Sequence, residues 1–314
     1  MNARTGQNPL RPERPSRKTL LLADGSGNAL TLGAGAFPPA PKALLLAVPA
    51  MGVRAEFYAE LSARFRNGCL GLAISDLRGN GNSTVRAGWR SDFGYREMAE
   101  LDLAAAMDSL EESFPGTPVF LLGHSLGGHV AGLYASRHAS RCAGLILIAC
   151  GTPYFRNWSL PQGLWILGRI EAATWLAQLL GHFPGRLFGF GWREARRLMS
   201  EWRRLAWTGS FQGEAWLAAG ERALGELRLP VLSLCVQGDD WAPAKAVAHL
   251  AAKLSACRTE FMELPRPGNG SAHFAWIRCP EAANAVEAWV IGKIPPYARN
   301  GEHATASMTE VPRA

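Results

Sequence analysis

A serine flanked by glycines carries the strongest chemical signal in the sequence. Residues 123–127 (GHSLG) match the pattern G-x-S-x-G, in which the serine occupies a sharp turn between a strand and a helix. An apolar stretch at 118–122 precedes the motif, and a stretch with helical spacing of apolar residues at 126–137 follows it. We therefore predict that Ser125 is a nucleophile, exposed at the start of a helix whose dipole favours negative charge.

Two further segments resemble motifs of the α/β-hydrolase superfamily. Residues 76–83 (DLRGNGNS) are similar to the D-x-R-G-x-G-x-S segment of many members, and residues 49–52 (PAMG) stand where members carry an H-G-x-x loop. Over about residues 19–294, the chain resembles predicted hydrolases of the monoacylglycerol-lipase and serine-aminopeptidase-like branch. The resemblance implies an α/β fold with a mostly parallel eight-stranded sheet, helices on both faces and a helical cap inserted after the sixth strand.

A serine hydroxyl needs a base to take its proton, and a late histidine is placed to do so. His273 follows the predicted strand 259–264 and the glycine-rich loop 267–270, and residues 271–274 (SAHF) resemble the histidine segment of the superfamily. The other histidines lie beside the nucleophile, on predicted helices, in the predicted cap or in the C-terminal tail. We predict His273 as the general base.

The third member of a triad should lie between the serine and the histidine in the chain. The turn after the predicted strand 231–236 offers Asp239 and Asp240. Asp239 is favoured because it lies nine residues after Pro230 and four before Pro243, which is similar to the superfamily pattern. Asp240 remains the alternative.

Two backbone N–H groups should face the developing oxyanion. Leu126, the residue after the nucleophile, supplies one, and Met51 in the loop after the predicted strand 43–48 is the candidate for the other. This loop departs from the superfamily pattern, because Pro49 and Ala50 replace its His-Gly pair.

The elements that must position these residues alternate between strand and helix, which predicts a parallel sheet covered on both faces. The alternation stops at residues 152–227, which hold seven of the eleven tryptophans and have helical but no strand patterning. We predict a core at 19–151 and 228–294, a helical cap at 152–227, and flexible tails at 1–18 and 295–314.

The amino-acid composition limits which other classes of function the chain can have. The six scattered cysteines form no CxxC pair, so we expect reduced thiols, and we predict no metal or organic cofactor. The formal charge is +7, but the sequence has no nucleic-acid-binding motif. We therefore expect a solvated basic face, with contact to an anionic membrane surface as the alternative. Without an apolar signal segment or membrane-length apolar run, the expected location is the cytoplasm.

The predicted reaction is hydrolysis of a carboxylic ester through an acyl-enzyme, with a small-molecule substrate whose acyl group is apolar. Two kinds of alternative remain. The same triad would serve an amide or thioester hydrolase or an acyltransferase, and the same pocket would serve a non-catalytic ligand-binding protein.

Overall fold

The computed structural model describes residues 16–33, 38, 40–65, 69–189, 191–266, 268 and 270–294. Eight strands form its main sheet: β1 (Ser16–Leu21), β2 (Gly27–Leu32), β3 (Ala43–Val48), β4 (Leu70–Ser75), β5 (Val119–His124), β6 (Gly144–Ile148), β9 (Pro230–Val236) and β10 (Arg258–Leu264). Their spatial order is β1-β2-β4-β3-β5-β6-β9-β10. β1 and β2 pair antiparallel, β2 pairs antiparallel with β4, and all other pairs are parallel. The predicted eight-stranded, mostly parallel sheet is confirmed.

Helices connect the strands. They are α1 (Ala59–Arg64), α2 (Tyr95–Glu97), α3 (Ala104–Ser113), α4 (Leu126–Ala135), α5 (Leu160–Leu180), α6 (Arg196–Thr208), α7 (Ala215–Glu226), α8 (Ala244–Ala251), α9 (Ala272–Ala275) and α10 (Pro280–Lys293). A π-helical turn at Met98–Leu103 joins α2 to α3, and a 3₁₀ turn at Ala55–Tyr58 precedes α1. The helical segment that contains α1 therefore begins with this tighter turn.

The central strands are apolar at every position because both faces of the sheet are covered. In β3 all six residues are buried, and successive side chains join opposite clusters. Leu44 and Leu46 pack in one apolar cluster with helices α3 and α4, whereas Leu45 and Ala47 pack in the other with α1 and α10. The period of two in a strand thus gives each face of the sheet its own core.

Two segments differ from the sequence expectations. β1 begins at Ser16, so residues 16–18, which we expected in the N-terminal tail, pair with β2 instead. Between β6 and β9, the segment 152–227 contains α5, α6 and α7, but also the short antiparallel strands β7 (His182–Phe183) and β8 (Glu194–Ala195). We call residues 152–227 the inserted segment. The predicted tails at 1–15 and 295–314 lie outside the described residues.

Candidate active site

Ser125 occupies a strained turn between β5 and α4. Its backbone has φ 52° and ψ −121°, and the left-handed region is costly for a residue with a side chain. Backbone hydrogen bonds hold the turn in place: the Ser125 N–H donates to the carbonyl of Ile148 over 3.1 Å, and the Gly128 N–H donates to the Ser125 carbonyl over 2.9 Å. This is the strand-turn-helix geometry that presents a nucleophilic serine.

The glycines around Ser125 are needed for close packing of backbone. A Cβ added at Gly123 would lie 2.3 Å from the Cα of Gly128, and one added at Gly127 would lie 2.0 Å from the carbonyl oxygen of Val48. The start of α4 therefore sits directly against the end of β3. Because Pro49 and Met51 follow that strand end, the candidate oxyanion loop lies beside the serine turn.

His273 and Asp239 meet in a buried contact. The Nδ1 atom of His273 lies 2.8 Å from Oδ2 of Asp239, and both side chains are almost fully excluded from solvent. The other carboxylate oxygen, Oδ1, accepts the backbone N–H groups of Trp241 and Ala242 over 2.9 and 3.1 Å. With Asp239 accepting at Nδ1, the neutral ring keeps its hydrogen there and leaves Nε2 free to take a proton.

Asp240 is turned away from this contact. Its side chain is exposed, and its backbone carbonyl accepts the indole N–H of Trp158 over 3.0 Å. The structure therefore brings Asp239, the residue favoured by its spacing, to the histidine.

His124 ties the histidine segment to the serine turn. Its Nε2 donates to the backbone carbonyl of His273 over 2.8 Å, and the centroids of the two imidazole rings lie 5.2 Å apart. Ser125 is the next residue in the chain. The described contacts include no hydrogen bond between the Ser125 hydroxyl and the His273 ring, and such bonds are often loose before substrate binds.

Tyr58 extends this connection to the oxyanion loop. Its hydroxyl lies 2.8 Å from His124 Nδ1 and accepts the backbone N–H of Ala50 over 3.0 Å. Burial lowers the pKa of His124 well below its usual value and raises that of Tyr58, so both groups stay neutral. The sequence analysis missed the roles of Tyr58 and His124, because no local motif connects residues so far apart in the chain.

Met51 and Leu126, the predicted oxyanion donors, are both buried next to the serine turn. Neither backbone N–H donates to another residue in the part of the chain that the structure describes. Both amides are therefore available to an incoming group.

Comparisons with known proteins agree with this architecture. Residues 39–188 match the family model described as serine aminopeptidase, S33. Human monoglyceride lipase is 35% identical over 109 residues, which is 35% of either chain. A haloalkane dehalogenase variant from Bradyrhizobium elkanii superposes with a TM-score of 0.62 at 18% identity, covering 89% of this chain and 97% of its own. A carboxyl esterase from Bacillus coagulans gives a TM-score of 0.61 at 16% identity, covering 90% and 99% of the two chains.

The chain has the α/β-hydrolase fold. Its sequence similarity to the curated monoglyceride lipases is confined to 35% of their length, whereas the fold extends over nearly the whole chain. The predicted α/β-hydrolase fold is thereby confirmed, and the predicted similarity to serine-aminopeptidase-like and monoglyceride-lipase-like proteins is found over part of the chain.

The D-x-R-G segment of the chain braces the loops near the site. Asp76 accepts the backbone N–H of Ala55 over 2.9 Å and that of Asn82 over 3.0 Å, so it holds the turn that leads into α1. Arg78 pairs with the buried Asp102 over 3.1 Å. These contacts join backbone segments and involve none of the predicted catalytic side chains.

A cavity of about 570 Å³ lies between the inserted segment and the turn that carries Asp239. Its walls are mostly apolar. They come from α5, α6, the region of β7, and Trp241, which lies two positions after Asp239. The lining includes Trp158, Trp165, Ile166, Ile170, Leu176, Phe183, Phe188, Met199, Trp202 and Trp241, with Arg169 and Asp240 as its charged members. Such a cavity suits an apolar group of a small molecule.

The described residues contain neither a metal-ligating cluster nor a membrane-length apolar helix. Among them, no group of three or more His, Cys, Asp or Glu side chains is arranged to hold a metal ion. Within the same part of the chain, no helix combines the length and apolar character needed to cross a membrane.

Proposed function

We propose that this α/β-hydrolase cleaves carboxylic esters through an acyl-enzyme on Ser125, with His273 as the proton carrier and Asp239 as the orienting acid. The observation that carries the proposal is the buried 2.8 Å contact between His273 Nδ1 and Asp239 Oδ2. The backbone carbonyl of His273 is in turn hydrogen-bonded to His124, the residue before Ser125. A base without this partner would lack both a fixed tautomer and a counter-charge for its cation.

The proposed reaction has two steps. Ser125 Oγ attacks the ester carbonyl while His273 Nε2 takes the hydroxyl proton, and the N–H groups of Met51 and Leu126 donate to the resulting oxyanion. Collapse of this intermediate breaks the ester bond, and His273 returns the proton to the departing alcohol. Water then attacks the acyl-enzyme with the same proton transfers and releases the acid and Ser125.

The cavity beside the inserted segment supports an apolar acyl group as substrate. We propose that residues 152–227 act as a cap whose inner face forms that cavity. The human protein that matches part of the chain is named monoglyceride lipase, which agrees with an ester of this type. Of the described residues that line the cavity, only Arg169 and Asp240 are charged, so a substrate with a long apolar chain would leave few groups unsatisfied.

Replacing Ser125 tests the proposal directly. Ser125→Ala should abolish hydrolysis of chromogenic esters without changing the circular dichroism spectrum or the urea midpoint. Ser255→Ala, at an exposed serine remote from the turn, is the matched control and should keep full activity. Full activity of Ser125→Ala would contradict the assignment of the nucleophile.

A substrate panel separates the rival functions. Esters of increasing acyl length, matched anilides and matched thioesters should rank with the apolar esters first. Labelling of the parent protein by a fluorophosphonate, lost in Ser125→Ala, would exclude a non-catalytic binding protein. Faster turnover of the anilides or thioesters would favour the amide or thioester alternatives on the same triad.

A further inference from the structure

Helix α5 has an apolar outer face that no part of the described chain covers. Its inner face packs against α6 through buried residues such as Leu167 and Ile170. Between residues 160 and 180 the only charged side chains are Arg169 and Glu171. Large apolar side chains stand in water on the outer side instead: Leu164, Trp165, Trp175 and Leu179 are 51%, 61%, 67% and 73% exposed.

The turn after β7 adds to this surface. Leu187 is 82% exposed and Phe188 is 59% exposed. Phe188 stacks on Phe183 with ring centroids 5.4 Å apart, and both line the same cavity as Trp165. We call Leu164, Trp165, Trp175, Leu179, Leu187 and Phe188 the docking face. Exposed apolar side chains grouped in this way mark an interaction site, because soluble monomers rarely leave large apolar patches uncovered.

Two unpaired positive charges lie beside the docking face. Arg169 lies over the ring of Trp165 at 4.6 Å, and Arg186 lies over the ring of Trp192 at 4.9 Å. Neither arginine forms an ion pair with a carboxylate among the described residues. The acid on the same helix, Glu171, is already paired with Arg203.

We propose that the docking face binds the surface of an anionic phospholipid bilayer. Tryptophan and leucine side chains enter the boundary between headgroups and acyl chains, and arginines beside them contact phosphate groups. The helix would lie in the plane of the surface. A second copy of the chain fits less well, because a twofold contact through this face would bring Arg169 and Arg186 towards their own counterparts.

The position of the docking face also explains how an apolar substrate reaches the cavity. Trp165 and Phe188 belong to both, so the cavity wall is continuous with the bound surface. A lipid ester could then enter from the bilayer without crossing water. This last step rests on the proposed function, whereas membrane binding itself does not depend on the triad.

Vesicle flotation tests the proposal. The parent protein should float with vesicles of phosphatidylcholine and phosphatidylglycerol, and more weakly with phosphatidylcholine alone. Added salt should weaken binding because it screens the arginines. The double variant Trp175→Ser/Leu179→Ser should lose about tenfold or more in partitioning, since two interfacial anchors are removed. Neither residue lines the cavity, so this variant should hydrolyse a water-soluble short ester at the parent rate.

Three controls make the outcome decisive. Leu21→Ser/Phe261→Ser removes two equally exposed apolar side chains from strands at opposite edges of the sheet and should bind as the parent does. Arg186→Gln should reduce the preference for phosphatidylglycerol. Ser125→Ala should float normally, which separates failure of docking from failure of catalysis.

Two results would overturn the proposal. One is equal flotation of the two double variants, which would mean that the docking face does not contact lipid. The other is a parent protein that does not bind vesicles but sediments as a dimer, while Trp175→Ser/Leu179→Ser sediments as a monomer. That result would assign the face to a second copy of the chain.

Discussion

The Tyr58 hydroxyl lies 2.8 Å from His124 Nδ1, and the pair forms the middle of a buried line of hydrogen bonds. His124 Nε2 faces a carbonyl oxygen, which can only accept, so the hydrogen of the neutral ring must be on that nitrogen. Nδ1 is therefore an acceptor, and Tyr58 must donate to it. The donor and the acceptor are thereby assigned for each hydrogen bond between the Ala50 N–H and the His273 carbonyl.

Loss of the tyrosine hydroxyl should weaken both stability and activity. Tyr58→Phe leaves the Ala50 N–H and His124 Nδ1 buried without a partner, which costs about 1–3 kcal/mol for each group. Ester hydrolysis should fall through kcat more than KM, because the change acts on the oxyanion loop and the histidine segment. Urea unfolding and steady-state kinetics measure the two effects.

Tyr134→Phe is the matched control for that experiment. The Tyr134 hydroxyl is buried and has no hydrogen-bond partner in the described part of the chain, so its removal should be neutral or stabilising. Equal losses of stability in the two variants would contradict the role assigned to Tyr58.

Neighbouring aspartates should differ sharply in their effect on turnover. Asp239→Asn replaces an acceptor at His273 Nδ1 with a group that also donates, so the ring adopts the wrong tautomer, and kcat should fall about 10⁴-fold. Asp240→Asn should stay close to the parent rate, because its side chain does not contact the histidine. A larger loss in Asp240→Asn than in Asp239→Asn would reverse the assignment.

Adding one methyl group at two glycines should have opposite effects. The Cβ in Gly127→Ala would lie 2.0 Å from the Val48 carbonyl oxygen, so the serine turn must shift, at a cost of about 1–3 kcal/mol or more and with loss of activity. Gly168 lies within α5 with no atom within 4 Å of the added Cβ. Gly168→Ala should therefore stabilise the protein by about 0.5–1 kcal/mol. Thermal and urea unfolding would detect either change.

A buried acid in the inserted segment should make stability depend on pH. Burial raises the pKa of Glu194 from its ordinary 4.5 to about 7. Among the described residues, its carboxylate accepts a hydrogen bond only from the Trp192 N–H, over 3.4 Å. Between these two pKa values the unfolded chain releases the proton while the folded chain keeps it. Stability from this group therefore falls as pH rises through that window and is level above it.

The variant Glu194→Gln removes that dependence, because its amide does not titrate. Relative to the parent, it should gain unfolding free energy when the buffer is changed from acidic to mildly alkaline pH. The same substitution at the exposed Glu112 is the control and should follow the parent. Parallel pH profiles for Glu194→Gln and the parent would refute the assigned cause.

Local patterns predicted the strands and the serine turn, whereas distant contacts that belong to no motif, such as that of Tyr58 with His124, escaped prediction. β3 was predicted with its observed bounds, because a buried parallel strand is a short continuous apolar run. The Asp239–His273 contact followed from the order of triad residues in the chain. By contrast, β7 and β8 have two residues each, too few to show a period.

The outer face of α5 was also beyond the sequence analysis. A helix that is apolar on both sides has no polar face to mark the side exposed to solvent. The tryptophans of this region were recognised, but only packing against α6 separates the buried positions from the exposed ones.

β6 pairs directly with β9, from Leu145 opposite Val231 to Ile148 opposite Leu234. The sheet is thus complete without the inserted segment, residues 152–227, which lies between two adjacent strands. Ser125 precedes this segment in the chain, and Asp239 and His273 follow it. Recombination at the junctions could therefore exchange the whole inserted segment for one from another protein, so the proposed catalytic residues and the residues that line the cavity can be inherited as separate modules.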